Sequence, residues 1–199
     1  MREAILIAVA VILLTAFWTV SAIAPYGTQQ QKLSESYNDI TAIMEAVRAR
    51  EFIATINPYL TNHEVDKLLA TFLRVSREYE IELDLLLSVA ASESHFRTDA
   101  ISRAGCIGIM QLKPSTALIL GVDPAELTDP VINIDAGARY LRLLLDRYED
   151  IELAVSAYNA GPTRVGNKVP AIKETREYVT RVAGHREVLA RWNVDGARN

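Results

Sequence analysis

From Ala4 to Ala24 the chain runs for 21 residues without a charge, and only Thr15, Thr19 and Ser21 interrupt its apolar character. At about 1.5 Å of helical rise per residue, such a run spans roughly 30 Å, the hydrocarbon thickness of a bilayer. A core helix of a soluble domain seldom runs so long without a polar stripe, so this segment is expected to enter a membrane. Arg2 precedes it and no Lys or Arg follows until Lys32. That asymmetry predicts an N-terminus in the cytoplasm and the remainder of the chain on the far side of the inner membrane, in the periplasm or its extracytoplasmic equivalent. Ala22-Ile23-Ala24 has the small-x-small spacing of a signal-peptide cleavage site. Pro25 would follow that cut, however, and the apolar run is longer than a usual signal core. An uncleaved single-pass anchor is therefore expected, and the absence of a following Cys argues against lipid attachment.

The length of 199 residues suits one domain of roughly 100–150 residues plus an appendage. A formal net charge of −4 excludes a nucleic-acid module, which needs a basic surface. Cys106 is the single cysteine, so no intrachain disulfide can staple the fold and apolar packing must hold it. That cysteine has no local base signature and reads as a small buried residue.

Residues 25–36 are polar with turn formers and read as a membrane-proximal linker. From Tyr37 to Ile56, the spacing of Tyr37, Ile40, Met44 and Val47 predicts an amphipathic helix. Thr61-Asn62-His63-Glu64 offers a capping box, followed by the apolar stripe Val65, Leu68, Leu69, Phe72 and Leu73. Further helices are expected from about Asp84 to His95, Pro114 to Leu120, Asn133 to Tyr148, Glu152 to Tyr158 and Pro170 to Trp192. Gly161-Pro162 punctuates the fourth of these. No window sustains period-2 alternation. The predicted fold class is all-α, with an N-terminal transmembrane helix (1–24), a linker with an amphipathic helix (25–60) and a helical domain over 61–199.

One carboxylate stands out on the helix expected near Asp84. Leu86, Val89, Ala90 and Glu93 share one face, so Glu93 continues an apolar stripe that should point inward. Desolvation there raises a carboxyl pKa, and the negative end of the helix dipole disfavours a second negative charge. Both effects favour a proton on Glu93 near neutrality, as a general acid requires. A buried Glu neutralised by Arg97, one turn later, is the structural alternative.

The stretch Ala91-Ser92-Glu93-Ser94-His95-Phe96 resembles the Glu-Ser signature of the lytic transglycosylase (SLT) family, relatives of goose-type lysozyme. Ser102, Gly105-Cys106-Ile107-Gly108-Ile109-Met110-Gln111-Leu112 and Thr116 resemble its second block. Asn133-Ile134 with Gly137 and Tyr140-Leu141 is similar to the third, Ala157-Tyr158-Asn159-Ala160-Gly161-Pro162 to the fourth, and Glu174-Thr175-Arg176 with Tyr178-Val179 to the fifth. The blocks stand in family order over about residues 64–185. Cys106 and Ile109 are mild departures.

The resemblance implies a lysozyme-like helical fold and a peptidoglycan lytic transglycosylase. Glu93 would be the sole catalytic carboxylate, acid first and base second, on the β-1,4 bond between N-acetylmuramic acid and N-acetylglucosamine. The substrate's own N-acetyl group and C6 hydroxyl would replace a second acid and water, giving a 1,6-anhydro end without metal or organic cofactor. Neither Asp84 nor Asp99 occupies a position that suits the second acid of a two-carboxylate glycosidase. By the same resemblance Ser94 would orient the acetamido group or cap the helix end. Ser102, Met110 and Gln111 would contact sugar, and Tyr158 and Asn159 would stand at a cleft edge. Glu174 would hold Arg176 or a sugar hydroxyl.

Peptidoglycan strands and the membrane, through residues 4–24, are the implied partners. Such enzymes trim the wall, open it for an envelope-spanning machine, or serve a phage. The rivals are a hydrolytic muramidase and a non-catalytic glycan-binding scaffold. His63, His95 and His185 lack a second ligand at metal spacing.

Overall fold

The computed structural model describes the backbone of residues 2–195 and the side chains of residues 29–191. The chain divides into two compact units, Met1–Glu45 and Ala46–Asn199. Helix α1 is Arg2–Ile56. The expected membrane segment, Ala4–Ala24, lies outside the residues whose side chains are described. Among the described residues no helix is long and apolar enough to cross a membrane. The segment expected to be a linker, 25–36, instead has helical backbone. Its Gln, Lys, Leu and Glu residues are good helix formers, and they outweigh the turn-forming character of Pro25 and Gly27.

The second unit holds α2 (Asn62–Glu78), α3 (Leu83–Ser94), α4 (Pro114–Ile119), α5 (Pro130–Tyr148), α6 (Ile151–Ala160) and α7 (Lys173–Asp195). Short 3-10 turns cover Pro124–Thr128 and Pro162–Arg164. Isolated bridges join Ile101 to Ile107 and Ile107 to Leu112, and the described residues form no longer strand. The unit begins at Ala46, ahead of the expected Thr61 boundary, because Ala49, Phe52 and Ile53 at the end of α1 are buried in its core.

Local chemistry sets most helix starts. The Glu64 backbone N–H donates to the Thr61 hydroxyl and the Thr61 N–H to the Glu64 carboxylate at 2.7 Å, completing the capping box of α2. The Asp129 carboxylate accepts from the N–H groups of Val131 and Ile132, with Pro130 in the first turn of α5. Asp150 accepts from the Leu153 N–H at the start of α6.

Helix α3 is the hub. It packs chiefly on α7 and also on α2, and Leu85, Leu86, Leu87, Ser88, Val89, Ala90 and Ala91 are all buried. The expected single apolar stripe is therefore one side of a helix buried nearly all round. Arg48 on α1, itself buried, ties three helices together. Its guanidinium donates to Asp84 at 2.8 Å and to the Leu189 carbonyl at 2.9 Å.

Candidate active site

The last turn of α3 carries Glu93 and Ser94, and the chain turns away directly after them. His95 and Phe96 both adopt left-handed backbone, with φ of 55° and 57°. Left-handed Phe is rare and costs on the order of 1–3 kcal/mol. Tertiary packing holds it: the Phe96 ring is fully buried edge-on against Phe52 and Phe72, with centroids 6.0 Å apart in each case.

Glu93 is itself only partly exposed. Desolvation raises its pKa from the ordinary 4.5 to about 7, against the opposing influence of the Tyr178 hydroxyl and the Arg181 charge. Both residues come from α7, the helix on which α3 chiefly packs. The buried Tyr178 phenol lies near enough to the carboxyl to favour its ionised form. It makes no hydrogen bond of ordinary geometry there or elsewhere among the described residues. Burial and the adjacent carboxyl push the Tyr178 pKa well above its usual value, so this phenol is a neutral donor. Arg181 stands over the Tyr178 ring, 5.7 Å from its centroid. It also helps line an open hollow of about 430 Å³ with Arg176, Glu177 and Thr180.

Arg97, the alternative partner of Glu93, takes a different bond: its Nε donates to the Ser94 carbonyl at 3.2 Å. No ion pair to Glu93 forms among the described residues. A second hollow of about 250 Å³, lined by Glu80, Glu82, Leu85 and Arg142 among others, lies at the opposite end of α3. Eight residues from Leu85 to Glu93 correspond to about 12 Å along the helix, so that hollow is remote from the acid.

The loop after α3 returns to the end of that helix, where Ser94 meets Ile109, and is pinned by a residue on α5. Asn133 is fully buried. Its Oδ1 accepts from the Met110 N–H at 2.8 Å, and its Nδ2 donates to the carbonyls of Ile107 (2.9 Å) and Leu127 (3.0 Å). Gly108, at φ +77°, leaves room for that amide; a methyl added there would meet Asn133 Nδ2 and lie 2.6 Å from its Cγ.

The eight residues expected to form the site fall into two groups. Ser94, Met110 and Tyr158 turn inward. The Ser94 hydroxyl donates to the Ile109 carbonyl at 2.8 Å and accepts from the Arg97 N–H. Met110 is fully buried against Gly137. Tyr158, expected at a cleft edge, is buried instead: its hydroxyl donates to the Met110 carbonyl at 2.9 Å and its ring lies 5.3 Å from that of Tyr140. Packing from α5 and α6 encloses it.

Ser102, Gln111, Asn159 and Glu174 keep polar atoms at the surface, as Glu93 keeps its carboxyl partly open. The Ser102 hydroxyl accepts from the Cys106 N–H at 3.0 Å and retains its own proton for donation. Gln111, in left-handed backbone at φ 46°, donates its amide to the carbonyls of Ala100 and Gly108, which leaves Oε1 as an acceptor. The Asn159 carbonyl accepts from Thr175 at 3.0 Å, leaving its amide hydrogens. Glu174 is exposed in the first turn of α7; the expected pairing with Arg176 is not among the ion pairs of the described residues. Cys106, expected to be buried, is half-exposed in the 102–106 turn.

Reasoning from sequence gave Asn133 and Tyr178 no roles, although both lie in motif blocks. Arg181 carried no sequence signal at all.

The chain is similar to several known proteins. The family model described as "Transglycosylase SLT domain" matches residues 71–179, more than half of the chain. Membrane-bound lytic murein transglycosylase F 1 of Alkalilimnicola ehrlichii is 41% identical over 97 residues, covering 45% of this chain and 19% of the relative. The transglycosylase of Enterobacteria phage PRD1 is 42% identical over 86 residues, covering 43% of this chain and 32% of the relative. Membrane-bound lytic murein transglycosylase C of Haemophilus influenzae is 33% identical over 141 residues, covering 61% and 40%. The chain thus matches well under two thirds of each relative's length.

Among solved structures, an inactive mutant of lytic transglycosylase Slt from Pseudomonas aeruginosa superposes with a TM-score of 0.55 and 28% identity, covering 61% of this chain and 24% of that one. The 70 kDa soluble lytic transglycosylase of Escherichia coli gives a TM-score of 0.59 at 24% identity, covering 73% and 28%. The latter likeness concerns the fold alone, which is all-helical as the sequence predicts.

Proposed function

Because the chain belongs to the transglycosylase SLT domain family, we propose that it is a peptidoglycan lytic transglycosylase that cleaves the β-1,4 bond between N-acetylmuramic acid and N-acetylglucosamine. The observation that carries this reading is the Glu93 carboxyl, held in a desolvated setting that raises its pKa to about 7. Such a group carries its proton into the reaction yet gives it up readily, the balance a general acid needs near neutrality.

The proposed sequence conserves atoms without water. The Glu93 proton passes to the bridging oxygen as the bond from the muramic C1 to that oxygen breaks. The substrate's N-acetyl group stabilises the developing cation. The C6 hydroxyl of the same sugar then attacks C1 and returns its proton to the Glu93 carboxylate, leaving a 1,6-anhydro end and a regenerated acid. This route needs no second carboxylate, unlike that of a two-carboxylate glycosidase.

Within this reading the eight residues divide the work. Gln111 Oε1, the Asn159 amide and the Ser102 hydroxyl meet sugar hydroxyl and acetamido groups, and Glu174 contributes at the outer rim. Ser94, Met110 and Tyr158 act from behind by fixing the loop that returns to the end of α3. Residues 4–24 anchor the chain in the inner membrane, with the catalytic unit, Ala46–Asn199, on the periplasmic side. The uncharged run supports that anchor, as does the membrane-bound description of two of the relatives.

Mass spectrometry of muropeptides released from sacculi by the full chain tests the chemistry. Anhydro ends are expected. Reducing ends one water heavier would instead establish a hydrolase. Complete inertness of the folded chain on sacculi, with retained binding, would establish the glycan-binding scaffold.

A further inference from the structure

We infer that Arg176 and Arg181, on the exposed side of α7, form a carboxylate-binding subsite beside the candidate acid. It takes an acidic group carried by the muramic acid residue, not the sugar ring itself. This rests on the proposed peptidoglycan substrate and names a part of it that is read away from the scissile bond.

Charge is unevenly spread along the chain. Residues 161–181 hold five cationic side chains, Arg164, Lys168, Lys173, Arg176 and Arg181, against two acids, Glu174 and Glu177. The whole chain has a formal net charge of −4, so its acidic excess lies entirely elsewhere. All five cations are exposed. Among the described residues, the one ion pair any of them makes is Lys173 with Glu177, at 3.8 Å between side chains that are 90% and 57% exposed. Cations that serve the fold here sit in closer pairs, such as Arg48 with Asp84 at 2.8 Å. The segment is nonetheless firmly placed. The Tyr148 hydroxyl bonds to the carbonyls of Pro162 and Val165 at 3.0 and 3.1 Å, and the Thr175 hydroxyl donates to Asn159 at 3.0 Å.

Geometry brings two of these cations to one place. Arg176, Glu177, Thr180 and Arg181 line the open hollow of about 430 Å³. The Thr180 hydroxyl is spent on the Arg176 carbonyl at 3.0 Å, and Lys173 stands against the charge of Glu177. The two guanidinium groups are therefore what the hollow offers to a ligand. Arg181 ties the hollow to the catalytic centre, because it stands over the Tyr178 ring and its charge acts on Glu93. A planar guanidinium meets a carboxylate through two parallel N–H···O bonds, stronger than those it makes to neutral hydroxyl or acetamido groups.

The muramic acid residue supplies such a group. Its lactyl arm ends in a carboxyl that is free or is amide-linked to a peptide stem with carboxylates of its own. N-acetylglucosamine carries no acid, so a paired-arginine subsite also distinguishes the two sugars of the strand.

The test uses soluble, uncrosslinked glycan strands in three forms. One keeps its stem peptides. One has its carboxylates converted to neutral methylamides with carbodiimide and methylamine. The third is stripped by an amidase that leaves only the lactyl carboxylate. Initial rates of product release are measured for the full chain, for the double variant Arg176→Gln/Arg181→Gln, and for Arg176→Lys/Arg181→Lys. Each rate is divided by that of the same protein on amidated strands, so a change in Glu93 acidity cancels. At low substrate the parent is expected to cut peptide-bearing strands roughly tenfold faster than amidated ones, the scale of one charge-assisted hydrogen bond. The Gln variant should lose that preference through a higher KM while keeping its unfolding temperature, since both side chains are exposed. The Lys variant should regain part of it. Stripped strands identify the source: cut as fast as peptide-bearing ones, they assign the lactyl carboxylate; cut as slowly as amidated ones, they assign the stem. Equal parent rates on charged and amidated strands, or a preference that survives in the Gln variant, overturn the inference. If the folded parent cuts no strand, the underlying reading of function fails, and the same contrast is then read from co-sedimentation of the chain with each strand form.

Discussion

Ser94, the residue next to the candidate acid, donates its hydroxyl to the Ile109 carbonyl at 2.8 Å. The end of α3 and the loop that faces it are thereby one hydrogen-bonded unit, closed again by the Tyr158 hydroxyl on the Met110 carbonyl and by Asn133 on the Met110 N–H. Three backbone groups of the consecutive residues Ile109 and Met110 hang on buried polar side chains, so the loop's place relative to the end of α3 is set by the core.

Ser94→Ala leaves the Ile109 carbonyl without its partner at a buried site, while the Arg97 N–H keeps its bond to the Ser94 carbonyl. Thermal or urea unfolding is expected to show a loss of about 1–3 kcal/mol. Activity should fall through a looser loop, and Ser94→Thr should not restore it because the added methyl has no space at a fully buried site. Unchanged stability in Ser94→Ala would remove the hydroxyl from this role.

The pH dependence has a definite sign. The folded-state pKa of Glu93, about 7, lies above its ordinary 4.5, so the native state binds this proton more tightly than the unfolded chain. Its contribution to stability is complete below about 4.5 and disappears as pH rises through about 7, for a total on the order of 3 kcal/mol. Glu93→Gln should therefore be inactive on sacculi and gain stability relative to the parent between pH 5 and pH 8. Parallel stability curves for the two proteins across that range would count against a buried, proton-holding Glu93. Catalysis should decline on the alkaline side of pH 7 for the same reason.

Tyr178→Phe removes the hydroxyl that favours the ionised form of Glu93. The alkaline limb of the pH–activity profile is expected to move to higher pH, with little change in unfolding temperature, because the phenol makes no ordinary hydrogen bond that would be lost. Arg181→Gln should move the limb in the same direction by a smaller amount, since its exposed charge is screened by solvent. An unmoved limb in both variants would disconnect α7 from the acid.

Gly137→Ala tests the packing behind the loop. The added methyl would stand 2.6 Å from Met110 Cβ and Cγ, and overpacking of this kind costs about 1–3 kcal/mol. Alanine's better helix propensity recovers at most about 1 kcal/mol. The variant should be less stable and less active. Met110→Gly in the same chain removes both clashing carbons and should relieve the clash, and a double-mutant cycle should show strong coupling between the two positions.

Features governed by neighbours a few residues away were legible from the chain alone. The capping box at Thr61 and Glu64, the apolar periodicity of α2 and α5, and the stop at Gly161-Pro162 all operate within a turn or two of sequence. So does the placement of Glu93 on an apolar helix face near its C-terminus. The helical backbone of 25–36 was not legible, because turn-forming residues signal a break only where helix formers do not outnumber them. Helix α5 begins at Pro130, ahead of the expected Asn133, because Asp129 caps it.

The sequence by itself determined an all-helical chain with one carboxylic acid aimed at the protein interior, since side-chain periodicity and backbone capping are short-range physics. Only the tertiary structure decided which polar groups are free to meet a substrate. Ser94 and Tyr158 look like contact residues in one dimension, yet both hydroxyls are held by carbonyls of a loop that folding brings to them. Tyr178 and Arg181 reach Glu93 because α7 packs along α3. A hydroxyl is available or occupied according to what lies within 3 Å of it, and that is settled by long-range packing.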